Sequence, residues 1–239
     1  MLRLISGIAA LAIGLAPVVL DPGRAAAPLA LVSLPPATLA GPIGGIQATR
    51  FDGVAQFPKW TDMLRRWSEQ IGAARHCIAI TGAVEGCVPA EWSALTAQLR
   101  PLGRRAMLDR LNRAINRHRY VAATDNWGRA DYWETPFEFM SRDGQCEDYA
   151  IAKFMILRAL GFDDDDLRIL VVRDVARQID HAVLVVYLDG TAWLLDSIDD
   201  TVAPLASATR YRPYYAINET GWWLYAPNPV RPAMARVTR

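Results

Sequence analysis

Gly144-Gln145-Cys146-Glu147-Asp148-Tyr149-Ala150-Ile151-Ala152-Lys153 places a cysteine where a helical pattern begins. Before it, residues 121–145 are polar and aromatic, with Asp125, Trp127, Asp131, Tyr132, Trp133, Pro136 and Asp143, and read as a loop. From Cys146 onward Ala150, Phe154 and Leu157 take one face, Met155 and Arg158 another, and Gly161 follows Leu160 as a stop signal. A helix N-terminus offers unpaired backbone N–H groups and a positive dipole end. Both favour the thiolate, the reactive form of cysteine. Cys146 is therefore a candidate nucleophile, and its own N–H a candidate oxyanion donor.

Downstream, Asp163–Asp166 form an acidic stretch that reads as a solvated loop. Leu167–Val172, Ala182–Leu188 and Thr191–Leu195 read as strands, with Asp189-Gly190 a two-residue hairpin signal between the last two. A two-residue turn pairs Leu188 with Thr191. Counting back, Val183 opposes Asp196 and His181 opposes Ile198. Alternate residues share a face, so His181 and Asp196 project to one side as diagonal neighbours, within side-chain reach. Asp196 can then hold the imidazole of His181, which takes the proton from Cys146. Of the other two histidines, His76 lies beside Cys77, and His118 falls on a basic helical face and reads as solvated.

Upstream, residues 60–120 carry helical spacing: Trp60, Met63, Leu64 and Trp67, then Leu95, Leu99 and Leu102, then Met107, Leu108, Leu111 and Ile115. Residues 28–57 are rich in Pro, Ala and Gly and read as an extended lead-in. Ahead of them, Arg3 precedes an apolar run from Leu4 to Leu20 and the small residues Ala25-Ala26-Ala27, the pattern of a signal peptide over residues 1–27, or else of a short uncleaved anchor. Either places residues 58–239, read as one domain, outside the cytoplasm, in the periplasm or secreted.

Export changes the reading of the three cysteines. Cys77 and Cys87 are ten positions apart in a glycine-containing segment and suit a disulfide. Cys146 is then the unpaired thiol. The 26 basic residues nearly balance 25 acidic ones, for a net charge of +1, which gives no basic excess to recruit nucleic acid.

Glu147 and Asp148 suit a first helical turn. Beside a thiolate, however, two carboxylates raise its pKa and oppose catalysis. A bound cation removes that conflict, and calcium, which takes oxygen ligands, is the natural candidate. Gln145, Asp131 and Asp143 are the further oxygen donors at hand.

The segments Asp131-Tyr132-Trp133, Pro136, Glu138, Gly144 to Lys153, Leu167-Arg168-Ile169, His181-Ala182-Val183-Leu184 and Leu195-Asp196 together resemble the bacterial transglutaminase-like cysteine peptidase family, over about residues 57–225. The resemblance implies an α+β, papain-like/transglutaminase-core fold: a nucleophile helix packed on an antiparallel sheet, with N-terminal helices. It implies a Cys146–His181–Asp196 triad and peptide-bond hydrolysis through a thioester. Some members are calcium-dependent periplasmic proteases that cut large surface adhesins under the control of an inner-membrane receptor. A protein substrate in the envelope or at the cell surface, and such a receptor, are thus the implied partners. In those members an Asp precedes the nucleophile and an Asn follows the triad Asp. Here these positions are Gln145 and Ser197. Acyl transfer to an amine, as in a transglutaminase, and a catalytically idle envelope-binding module stand as alternative functions.

Overall fold

The structure, a computed structural model, describes residues 48–225. The signal peptide expected over residues 1–27, and residues 28–47 of the expected lead-in, lie outside the described residues. The end of the lead-in is a strand, β1 (Ala48–Asp52). Helix α1 (Pro58–Thr81) follows, with Pro58 in its first turn, where a missing N–H costs nothing. Gly82, in the left-handed region, ends it and donates its N–H to Ile78 O. Helices α2 (Ala90–Leu99) and α3 (Arg104–Ile115) come next.

Residues 121–145 are not a continuous loop. They contain the short helices α4 (Ala123–Trp127) and α5 (Pro136–Arg142). The start of α5 is set by a capping box: Thr135 Oγ1 accepts from Glu138 N at 3.3 Å and Glu138 Oε2 from Thr135 N at 2.8 Å. The spacing of apolar residues is blind to helices this short, because one turn shows no periodicity.

Helix α6 (Cys146–Ala159) is then followed by β2 (Leu167–Asp174), β3 (Ile179–Leu188), β4 (Thr191–Leu195), β5 (Ala203–Pro204), β6 (Tyr211–Ile217) and β7 (Gly221–Tyr225). The seven strands form one antiparallel sheet in the order β1-β7-β6-β2-β3-β4-β5. The Asp189-Gly190 turn is as expected. Both residues have positive φ, 52° and 73°, and Leu188 pairs with Thr191. The Asp163–Asp166 stretch contains a 3-10 turn rather than a loop, and Asp164 there accepts from Glu219 N and Thr220 Oγ1.

Helix α6 does not present alternate faces to core and solvent. Every residue from Glu147 to Leu157 is buried. The larger core joins α6 to Trp60 and Met63 of α1, Leu95 and Leu99 of α2, Leu108 and Leu111 of α3, Phe139 of α5, and Ala182, Leu184 and Val186 of β3. The opposite face of the sheet has a smaller core, with Leu170, Val172, Val183, Val185, Leu194 and Tyr211. Burial on both faces explains why β2 and β3 read as near-continuous apolar runs. Cys77 and Cys87 form the expected disulfide, although Cys77 lies inside the last turns of α1 rather than in a loop. No helix among the described residues is long and apolar enough to cross a membrane.

Candidate active site

Cys146 is the first residue of α6, as expected, and its side chain is half-buried. Gln145 precedes the helix, and its backbone N–H is accepted by Asp148 Oδ2 at 2.9 Å. Asp148 Oδ1 accepts from Glu134 N at 2.8 Å. One carboxylate thus ties the start of α6 to the α4–α5 segment.

His181 lies within β3, not at its edge, opposite Val172 of β2. Strand β4 ends with the pair Leu184–Leu195, and Asp196 is the next residue. The ring and the carboxylate meet: His181 Nε2 is 2.8 Å from Asp196 Oδ1, both side chains almost fully buried. With Nε2 committed to the carboxylate, Nδ1 is the imidazole nitrogen left to serve another group.

The sulfur approaches β3 one residue further on. The backbone N–H of Ala182 faces the Cys146 sulfur and favours its thiolate. Register explains why this amide is free. The closing pair Leu188–Thr191 of a two-residue hairpin exchanges both hydrogen bonds, so Val186, Leu184 and Ala182 also aim their N–H and C=O at β4. Beyond Leu195 that strand no longer pairs with β3, and the Ala182 amide is left to the Cys146 sulfur. His181 projects to the face shared with Val183 and Val185, away from α6. The His181 ring on that face and the Cys146 sulfur thus belong to the surroundings of adjacent residues on β3, with the ring bonded to Asp196 and the sulfur to Glu147.

Three groups hold Asp196 that the sequence reading did not single out. Its Oδ2 accepts from Tyr211 Oη, and from Arg210 Nη2 at 3.0 Å. Its Oδ1 also accepts from Ile198 N at 3.2 Å. Burial alone would raise this carboxyl, but the hydrogen bonds and charge of His181, with Tyr211 and Ile198 N, bring it down to about 2. Tyr211 opens β6, which lies three strands from β4 in the sheet, Arg210 is the turn residue before it, and nothing local in the sequence marks them.

The sulfur itself is in the opposite condition. Burial first, then the charge of Glu147, push the Cys146 thiol up to about 12, against the pull of the Ala182 amide. The thiol donates to Glu147 Oε2 at 3.3 Å. Glu147 Oε1 in turn accepts from Gln145 Nε2. Asp148 is driven well above the usual carboxylate range by burial and by the charges of Glu147 and Glu134. Glu134, also missed in the sequence, is buried. Its Oε1 accepts from Trp127 Nε1 at 2.6 Å, and its Oε2 has no hydrogen-bond partner.

Of the calcium donors expected from sequence, Gln145, Glu147 and Asp148 are together. Asp131 pairs with Lys59 of α1 and makes no hydrogen bond to them. Asp143 is clamped by His118 Nδ1 at 2.9 Å and Arg119 Nε at 3.0 Å. His118 is therefore not a solvated side chain but a bridge, with Glu91 on its other nitrogen. Among the described residues no three His, Cys, Asp or Glu side chains converge as a metal cage. The donor chemistry of Gln145, Glu147 and Glu134 nonetheless suits a hard cation: all are oxygen donors, and Glu134 Oε2 is buried without a partner.

A cysteine at a helix start, set against an antiparallel sheet that carries a buried His–Asp pair, defines a cysteine peptidase of the transglutaminase-like type. Residues 68–224 match the family described as bacterial transglutaminase-like cysteine proteinase, BTLCP, and the chain belongs to that family. It is similar to the solved structure of Legionella pneumophila LapG, with 29% identity over 56% of this chain and 75% of that one, at a TM-score of 0.50. The calcium-bound form of LapG is 28% identical over 58% of this chain and 80% of that one, at a TM-score of 0.51. An EGTA-treated form matches equally, with 29% identity over 56% and 73% and a TM-score of 0.50. No curated protein matches.

Proposed function

We propose that this protein is an exported peptidase that hydrolyses a peptide bond in an envelope or surface protein, with Cys146, His181 and Asp196 as its triad. The observation that carries the reading is the buried His181–Asp196 pair, one residue from the amide that faces the Cys146 sulfur. His181 Nδ1 accepts the thiol proton. The sulfur attacks the scissile carbonyl, the C–N bond breaks as the imidazolium gives its proton to the departing amine, and a thioester is left. Water, giving a proton to the same imidazole, then attacks the thioester, and the acid leaves as the sulfur takes that proton back. Asp196 keeps the ring in the tautomer with its proton on Nε2 and stabilises the imidazolium.

A thiol held near 12 is a poor nucleophile at neutral pH until the negative charge of Glu147 is offset. Calcium, when bound by Gln145 and Glu147 with Glu134 nearby, would supply that offset. The calcium-bound form of the similar LapG structure supports this reading. Periplasmic or secreted location rests on the N-terminal sequence pattern and is favoured by the Cys77–Cys87 disulfide, a bond typical of oxidising compartments. An inner-membrane receptor is the regulatory partner this reading suggests.

The test uses Cys146 as the single unpaired thiol. Its alkylation by iodoacetamide is followed by mass spectrometry in the wild type, His181→Ala and Asp196→Asn, with calcium and with chelator. Slowing of about 10²-fold or more in His181→Ala supports the triad. Equal rates in all three proteins would sink it.

A further inference from the structure

His181 and Tyr211 reach the Asp196 carboxylate from the sheet, but no ladder bond holds its backbone. Its strand pairing stops at Leu195, and the chain runs on through residues 196–202 without ladder bonds. Yet its carboxylate must stay aligned with His181, and a free loop would leave that alignment loose. The backbone of this loop is held from the other side, by helix α3. Asn116 Nδ2 donates to Asp196 O at 2.8 Å, to Asp199 O at 3.2 Å and to Asp200 Oδ1 at 3.1 Å. Asn112 Nδ2 donates to Asp199 O at 2.8 Å.

An asparagine amide can turn over and present its oxygen instead, and an oxygen facing these acceptors would repel them. What fixes both amides is a single cation. Lys153 Nζ donates to Asn112 Oδ1 and to Asn116 Oδ1, each at 2.7 Å. An ammonium has donors only, so both amide oxygens must face it and both NH₂ groups must face the loop. Lys153 stands seven positions after Cys146 on α6, two turns along nearly the same face. It is 1% exposed, and Asn112 is fully buried. No carboxylate among the described residues bonds the ammonium directly. Burial lowers it to about 7, opposed by the charges of Asp196 and Asp200. A buried lysine so weakly paired is costly, and a core position on α6 would be filled more cheaply by an apolar residue.

We propose that Lys153 is a positioning residue of the active site: through Asn112 and Asn116 it sets the backbone of Asp196, and so the His181–Asp196 alignment, from the same helix that carries Cys146. The helix thus delivers the nucleophile at its start and orients the triad carboxylate from its middle. The inference rests on the triad reading above and deepens it.

The test compares Asn116→Asp, Lys153→Met and Asn112→Asp in the full mature chain. Asn116→Asp keeps an oxygen for Lys153 but replaces the donor to Asp196 O with an acceptor. Asn112→Asp makes the same change at a residue that, besides Lys153, bonds only Asp199 of the loop and not Asp196. Two quantities are read: the iodoacetamide alkylation rate of Cys146, and the ring N–H proton resonance of His181 in protein with ¹⁵N-labelled histidine. We expect Asn116→Asp and Lys153→Met to slow alkylation about tenfold or more, part of the ~10²–10⁴ that a positioned base contributes. The His181 resonance should shift or broaden in both, and Asn112→Asp should change it less. Lys153→Met that fails to fold leaves Asn116→Asp, at the partly exposed end of α3, to decide. A folded Asn116→Asp with an unmoved His181 resonance would overturn the proposal, whatever its alkylation rate. Alkylation of Asp196→Asn at the wild-type rate would instead overturn the triad reading beneath it.

Discussion

The backbone amide of Ala182 faces the sulfur of Cys146 at the point where β4 has left the side of β3. An unpaired strand amide is thereby turned into part of the site, and its neighbour His181 is tied to Asp196 on the far face of the sheet. The departure of one strand after Leu195 creates both features: it frees the Ala182 N–H and releases Asp196 to turn toward the ring.

The first consequence concerns acid stability. Asp196 titrates near 2 when folded, below its ordinary 3.8. A depressed carboxyl stabilises the fold fully above the unfolded pKa, and that contribution disappears as pH falls from about 4 through about 2. A gap of this size is worth about 2 kcal/mol. Urea unfolding at a series of pH values should show the loss in the wild type and a shallower one in Asp196→Asn. Parallel curves for the two proteins would contradict the assignment.

Glu147 should restrain the thiol when no cation is present. After burial, its charge is the largest influence raising Cys146, and its carboxylate also accepts the S–H. In chelator, Glu147→Gln should therefore move the alkylation profile of Cys146 to lower pH and raise the rate at neutral pH. An unchanged or slower rate would show that Glu147 does not set the state of the sulfur.

Gly144→Ala should damage the site without touching it. A Cβ there would lie 2.7 Å from Asp148 Oδ2 and 3.0 Å from Phe139 Cδ2. Asp148 cannot swing aside, because its two oxygens hold Glu134 N and Gln145 N. Overpacking of this kind costs about 1–3 kcal/mol. Thermal melting should fall accordingly, and Cys146 should alkylate more slowly as the start of α6 shifts. A wild-type melting temperature would refute the tight contact.

The disulfide should matter for stability alone. It closes a loop between residues ten apart and joins α1 to the turn before α2, among none of the groups that contact Cys146, His181 or Asp196. A loop of this length gives about 2–3 kcal/mol by restricting the unfolded chain. The double variant Cys77→Ala/Cys87→Ala should melt lower yet alkylate Cys146 at the wild-type rate. A matching loss of reactivity would reveal coupling that the contacts do not predict.

Much of this site is written in short-range pattern. A cysteine opening an apolar helix, an Asp-Gly turn that fixes the register of two strands, and alternation along them were enough to bring His181 and Asp196 to one face and to make Cys77 and Cys87 partners. These features are local, and the backbone periods of helix and strand carry them directly from residue spacing to geometry. Tertiary structure alone decided the rest: that Asp131 goes to Lys59 and Asp143 to His118, that Glu134 joins the acids beside Cys146, and that Arg210, Tyr211 and the Lys153–Asn116 contact hold Asp196. These partners come from elements distant in sequence, and a side-chain contact across a fold depends on packing and burial that no local period encodes.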